Sequence, residues 1–374
     1  MASSNANTPA ALNSLSDTAI ALLQQLETVL TTINAGKDAA QQPSASSTTP
    51  VDALSLAHDS ASLIKAHSTK ISVLIINEPF TPSAIIKVLR ELVSGPIPGI
   101  ATAAQSCDAE RYTATFRKDL SWKCYIVLKE LRGLIEKIPR DGKILSVAQK
   151  NGSTTATGKG SMAATGVIWS ACDEVMQFSK GGIGSCFVKK VEEFRATLKD
   201  VMEELKEWGD EEPEDDEESD ADDLDHDSAL GSMMPSTQEM IDDMMGNQQT
   251  IPRDDPDKIR DRLESCLKRL RLTTLLYQAI VKRRFKTLPS LPADKSDIPQ
   301  RLDESMRILR KLPHMFDELA GAFYELSPEE IDRVMSLCFN EIVALSELLK
   351  TPWSGEKDEF SEWVVKFQAE INKG

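Results

Sequence analysis

Apolar residues return every three or four positions along most of this chain. Leu15, Ala19, Leu22, Leu26, Val29 and Ile33 form one such series. Leu54, Ala57, Ala61, Ile64, Ser68, Ile71 and Ile75 form a second, and Leu120, Cys124, Val127, Leu131, Leu134 and Ile138 a third. The most regular is Phe187, Val191, Phe194, Leu198, Val201, Leu205 and Trp208. Ile259, Leu263, Cys266, Leu270, Thr273, Tyr277 and Ile280 repeat the spacing, as do Ile331, Met335, Cys338, Ile342, Leu345 and Leu349. Such spacing places one apolar stripe on each helix, and each stripe has to be covered by another helix. The stripes are too interrupted for one long coiled coil, and short links between them favour antiparallel bundles. "KISVLIINE" at 70–78 is the nearest approach to a strand, but it continues the stripe of the helix before it.

Helix punctuation supports this pattern. In "LSPEEI", Ser327 stands at a cap, Pro328 at the first helical position and Glu330 three residues after the cap. Thr81–Pro82 should start a helix in the same way, and "SGPIPGI" at 94–100 should break one. "GGIGS" at 181–185 should end one helix and begin the next. The predicted helices lie near 12–34, 52–77, 82–93, 109–138, 162–179 and 184–208, then near 256–287, 296–323, 328–350 and 356–372. Pro313 should kink the second of the later group.

Charge divides the chain. Between Asp210 and Asp227, thirteen of eighteen residues are acidic and none is basic. This segment supplies most of the net charge of −16, and the sequence on either side is nearly balanced. So acidic a stretch cannot bury enough apolar surface to offset its ordering entropy and self-repulsion. The expected fold class is therefore all-α: two antiparallel helical bundles joined by a disordered acidic linker. The N-terminal bundle covers 1–208, with flexible stretches at 1–11, 36–51 and 150–161. The linker covers 209–255 and the C-terminal bundle 256–374. Within the linker, "PSTQEMIDDMMGN" carries a Ser236/Glu239 capping box. A short Met-rich helix is expected near 236–246, with Met240, Ile241, Met244 and Met245 on one face as a candidate docking surface for the chain itself or a partner. Ser219, in "EESDADD", is a candidate phosphorylation site for an acid-directed kinase.

Catalytic templates fit poorly. The six cysteines are widely spaced, with no CxxC, which points to buried small hydrophobes in a reducing compartment and to no metal or disulfide framework. "GSTTATGKGS" approaches a phosphate loop, but its glycine spacing is one residue too long and Gly160 stands where Ser or Thr is needed. Asp223, Asp225 and Asp227 match the first three ligands of a calcium loop, yet Ser228 and Met234 replace its glycine and its bidentate Glu. The four histidines fall in no HExxH, and His58 and His67 are expected on a solvated helix edge. "VKRRFK" at 281–286 is read as the solvated basic end of a helix, with nuclear import as its functional alternative. The neutral halves lack the broad basic face of a nucleic-acid binder. No apolar run is long enough to span a membrane, and the first residues lack the features of a signal peptide. No enzyme activity, cofactor or metal is expected.

Two stretches resemble a known family. "TGVIWSACDEVMQF" at 165–178, with Val167, Trp169, Ala171 and Cys172, looks like the Val-Trp-x-x-Cys helix of the Grap2 and cyclin-D interacting protein (GCIP) family, also called cyclin-D-binding proteins. The amphipathic helix after it and the acidic segment are similar too. "FDELAGAFYE" at 316–325 resembles a later family segment, although Glu325 and Leu326 stand where the family has prolines. The resemblance implies a non-enzymatic helical protein of cytoplasm and nucleus. It would bind protein partners, a D-type cyclin or a transcription regulator, in cell-cycle or transcription control. The four motif residues are read as core positions. A cytoskeletal adaptor of the vinculin or talin-rod kind is the alternative, and the oligomeric state stays open.

Overall fold

The computed structural model describes residues 8–36, 52–152, 160–211, 249–289, 291 and 296–373. Among these there is no strand, and the fold is all-α. Ser219, Met240, Ile241, Met244 and Met245 lie outside the described residues. The chain divides into two compact units. Unit 1 is 1–188 with 288–304, and unit 2 is 189–287 with 305–374. This division is interleaved, whereas the sequence pattern suggests a sequential one.

Unit 1 contains α1 (Pro9–Asn34), α2 (Ala53–Ile76), α3 (Pro82–Ser94), α4 (Pro96–Ser106), α5 (Ala109–Tyr112), α6 (Ala114–Ile135), α7 (Val147–Asn151) and the first arm of α8 (Ser161–Asp210). α1 packs along α6 and α3, and α2 along α4. The stripes of α2 and α6 are buried nearly as the periodicity predicts. The buried stripe of α1 is instead Leu12, Ser16, Ala19, Leu23, Glu27, Leu30 and Ile33. Leu15, Leu22, Leu26 and Val29 sit at its edge. Glu27 misleads the pattern because it is charged, yet it is buried against Arg132, whose Nε donates to its carboxylate at 2.8 Å.

Two breaks depart from expectation. Gly95 (φ −141, ψ −77) stops α3, but Pro96 and Pro98 then occupy the first turn of a new helix, α4, where their missing N–H groups cost nothing. The predicted helix 109–138 is cut at Thr113, a buried residue with φ 93. Its hydroxyl accepts from the Phe116 N–H, and the Asp303 carboxylate accepts the Ala114 and Thr115 N–H groups at 2.6 and 2.9 Å. A buried helix start is thereby satisfied by a residue far along the chain. The expected break in "GGIGS" is present: Gly182 (φ 64, ψ −169) is non-helical and divides α8 into two arms. His58 lies half-buried on the helix edge, with its side chain reaching solvent as expected, but His67 is buried, its Nδ1 3.5 Å from a Glu91 carboxylate oxygen.

Unit 2 contains the second arm of α8, α9 (Ile259–Ile280), a π-helical turn (Val281–Phe285), most of α10 (Ile298–Tyr324), α11 (Pro328–Lys350) and α12 (Glu359–Ile371). The stripes of α9 and α11 are buried in full. Trp208 closes the α8 stripe. Its ring meets Phe323 and Tyr324 at centroid distances of 6.2 and 5.4 Å, and the Tyr324 hydroxyl donates to Glu204 at 2.9 Å. Pro313 lies inside α10. α11 starts at Ser327–Pro328, but the Ser327 side chain makes no capping bond. Glu330 is held by Arg333 at 2.8 Å and cannot complete the box. Leu326 (φ 50) makes the turn where the resembled family has proline.

Lys282, Arg283 and Lys286 of the basic cluster "VKRRFK" are exposed at the helix end as expected, but Arg284 departs from that reading. Arg284 is fully buried. Its guanidinium donates to the Leu349 and Lys350 carbonyls at 2.6 and 2.7 Å and to both Asp358 carboxylate oxygens at 2.8 and 3.1 Å. It also stacks 4.3 Å from the Phe360 ring. This one residue ties the end of α11 to the start of α12, and the π-turn is the local irregularity that aims it there.

Candidate protein-interaction surface

Exposed apolar side chains of unit 1 lie along α2 and the first arm of α8. The two helices are antiparallel. Lys65 Nζ lies 2.6 and 2.7 Å from the two Asp173 carboxylate oxygens. One turn further along α2, the Thr69 hydroxyl accepts from Trp169 Nε1 at 3.0 Å. Val73 is one turn beyond Thr69 on the same side of α2, and Met162 is two turns before Trp169 on α8. Val73 is 48% exposed, Met162 56% and Trp169 40%. Gly166 lies between Met162 and Trp169 with open space where a side chain would be. The three side chains thus border a shallow apolar strip bounded at one end by the Lys65–Asp173 pair.

The chemistry of this strip is that of contact. The Trp169 N–H is already satisfied, so the indole offers an apolar face at little conformational cost. The Lys65–Asp173 pair is part-exposed and sets polarity more than stability. On the α6 side of α8, Phe178 stacks on Phe116 at 4.5 Å, with Lys123 5.7 Å above its ring and paired to Glu174 at 3.0 Å. Trp122 adds a second exposed aromatic on α6, stacked on Tyr125 at 5.2 Å.

The motif read as core divides into two sets. Ala171 and Cys172 are buried and Val167 is half-buried, whereas Trp169 faces outward. The sequence contains the signal for this. Ile168, Cys172 and Val175 set the buried stripe, and Trp169 stands one position off it, between Gly166 and Ser170.

Nucleophilic chemistry finds no support among the cysteines. All six are buried. Burial pushes the Cys107, Cys172 and Cys338 thiols up to about 12 and raises those of Cys124 and Cys266 further, so all five stay protonated near neutral pH. No cluster of His, Cys, Asp and Glu among the described residues is arranged to hold a metal ion. The loop that approaches a phosphate motif has another use for its glycines. Gly152 (φ 84) caps α7, and a Cβ on Gly160 would lie 2.4–2.5 Å from the backbone of 150–152. Gly160 is there because two backbones meet.

Residues 57–211 match the family model of the N-terminal region of Grap2 and cyclin-D-interacting proteins. This stretch is similar to the GCIP N-terminal region. No curated protein matches the chain. The matched stretch contains the whole α2–α8 strip, including Val73, Met162 and Trp169, and Trp122 of α6. It also takes in both arms of α8, and so the long amphipathic stripe that ends at Trp208. No helix among the described residues is long and apolar enough to cross a membrane.

Proposed function

We propose that the chain is a non-enzymatic protein-binding regulator that engages a D-type cyclin through its GCIP-like region. The observation that carries this is the family match over 57–211, whose name describes cyclin-D interaction. Protonated buried thiols and an exposed apolar strip agree with a binding role and give no foothold for catalysis. Val73, Met162 and Trp169 are the contact residues in this account, with Lys65 and Asp173 as a polar rim. The bound cyclin, or a transcription regulator in its place, links the chain to cell-cycle or transcription control in cytoplasm and nucleus. Passing a purified D-type cyclin over the immobilised chain tests this. Retention by the chain, weakened by Trp169→Ala, supports the proposal. No retention of the cyclin, or retention unchanged by Trp169→Ala, refutes it.

A further inference from the structure

Unit 2 presents a basic face with an apolar centre. From Ser265 to Thr287 the chain carries seven basic residues and no acidic one. Three of the seven are engaged: Arg269 lies over the Phe339 ring, Arg283 pairs with Glu359, and Arg284 is buried on Asp358. Lys268, Arg271, Lys282 and Lys286 are exposed, and none of them makes a hydrogen bond or an ion pair with a described residue. Lys268, Arg271, Leu275, Gln278 and Lys282 follow one another in steps of three and four, so they share one side of α9 and its π-turn. Leu275, in the middle of that side, is 46% exposed.

α12 lies beside α9 and antiparallel to it. Arg283 meets Glu359 at 2.9 Å toward one end, and Lys268 acts on the Glu370 carboxylate toward the other. Glu359, Trp363, Lys366 and Glu370 recur in steps of three and four, and so form the side of α12 turned to α9. Counted from the two charged contacts, Trp363 falls within one turn of the level of Leu275. Its ring is half-buried and stacked on Phe360 and Phe367 at 5.7 and 5.2 Å. That ladder holds the indole in place, and its N–H has no hydrogen-bond partner among the described residues. Lys366, one turn on, is exposed. Leu275 and Trp363 therefore stand at the middle of a seam bordered by Lys268, Arg271, Lys282 and Lys366.

A rigid aromatic beside an exposed leucine gains from being covered, at small cost in side-chain entropy. Unpaired cations around it select an acidic partner and orient it. Two ridges with helical spacing accept a helix between them, and Lys268 to Lys282 spans about 21 Å, the length of a helix of roughly fourteen residues. A nucleic-acid backbone fits less well. Glu359 and Glu370 line the same seam and would repel phosphates, and Leu275 offers a phosphate nothing. We propose that the α9–α12 seam of unit 2 docks an acidic helical segment of a protein partner, which sets one bulky apolar side chain on Leu275 and Trp363. α9 and α12 lie outside residues 57–211, so this surface is separate from the proposed cyclin contact.

The test uses the full chain and a fluorescein-labelled, glutamate-rich helical peptide with one central leucine. The chain's net charge of −16 opposes general uptake of an acidic peptide, so binding reports a local surface. At low salt the peptide should bind, and the same peptide with alanine for its leucine should bind less tightly. Leu275→Ser should weaken binding at least about fivefold. Arg271→Gln with Lys282→Gln should weaken it about tenfold, by a margin that narrows at high salt. Val365→Ser is the control. Val365 is 53% exposed but shares the side of α12 on which Gln368 reaches Ser346 of α11, so binding should not change. These positions are exposed, and the helical signal of each variant confirms that it is folded. No binding of the peptide, or equal affinity for the unmodified chain and Leu275→Ser, overturns the proposal. A mixed-sequence DNA duplex held more tightly than the peptide overturns it in favour of a nucleic-acid face. Self-association of the chain that Leu275→Ser abolishes, with no peptide held, overturns it in favour of a second copy.

Discussion

At Arg284 a full positive charge is buried, and its survival rests on named acceptors. Hydrogen bonding to Arg284 holds the Asp358 carboxyl far below the usual carboxylate range. The sign of the linkage follows: the pair contributes fully above about pH 4 and is lost as pH falls from there toward the folded value. Asp358→Asn should cost about 2–3 kcal/mol at neutral pH, because Arg284 keeps the Arg283, Leu349 and Lys350 carbonyls but loses its counter-charge. That difference from the unmodified chain should shrink as the pH of denaturant unfolding is lowered toward 2. A difference that stays constant with pH would show that Asp358 acts by packing alone. His67 works in the opposite pH range. Burial and the nearby Lys70 lower its pKa, opposed by Glu91. The unfolded chain therefore takes up the proton first, and stability falls as pH drops below about 6.5. His67→Gln should flatten the melting temperature between pH 6.5 and 5; an unchanged slope would assign it to other groups. Neither residue was legible in the sequence. A basic run and a lone histidine look solvated until a partner distant in the chain covers them, as Asp358 covers Arg284 and Glu91 meets His67.

At the scale of the element, periodicity located the helices well and their ends less well. The stripes of α9 and α11 appear in the sequence as they are buried, because every position in them is apolar or small. α1 was misplaced by one register because Glu27 belongs to its buried face. α4 was hidden by prolines that both break and start helices. The caps at Thr81 and Ser327 were right in position and wrong in chemistry, since neither side chain bonds its helix start. Meanwhile the true capping box of Asp358 and Ser361 opens α12. The junction of α7 and α8 gives a direct test. Gly160→Ser makes the loop look more like a phosphate site, yet the new Cβ would collide with the backbone of 150–152. We expect the variant to lose roughly 1–3 kcal/mol of stability, the range for strained or overpacked backbone, and to gain no nucleotide affinity. Undiminished stability with new nucleotide binding would restore the phosphate-loop interpretation.

At the scale of the whole molecule, the all-α class was legible, and so was a likeness to the GCIP family through Trp169 and Cys172. The binding face was not, because sequence placed Trp169 with its buried neighbours, and only the pairing of α2 with α8 turns it outward beside Val73 and Met162. Calorimetric titration of a purified D-type cyclin into the chain tests the account most directly, run beside a Val73→Asp, Trp169→Ala double variant. The account predicts saturable binding by the unmodified chain and at least about tenfold weaker binding by the variant, with its helical signal retained at the temperature of the titration. No heat of binding from the unmodified chain, or equal affinity of the two proteins, would contradict it.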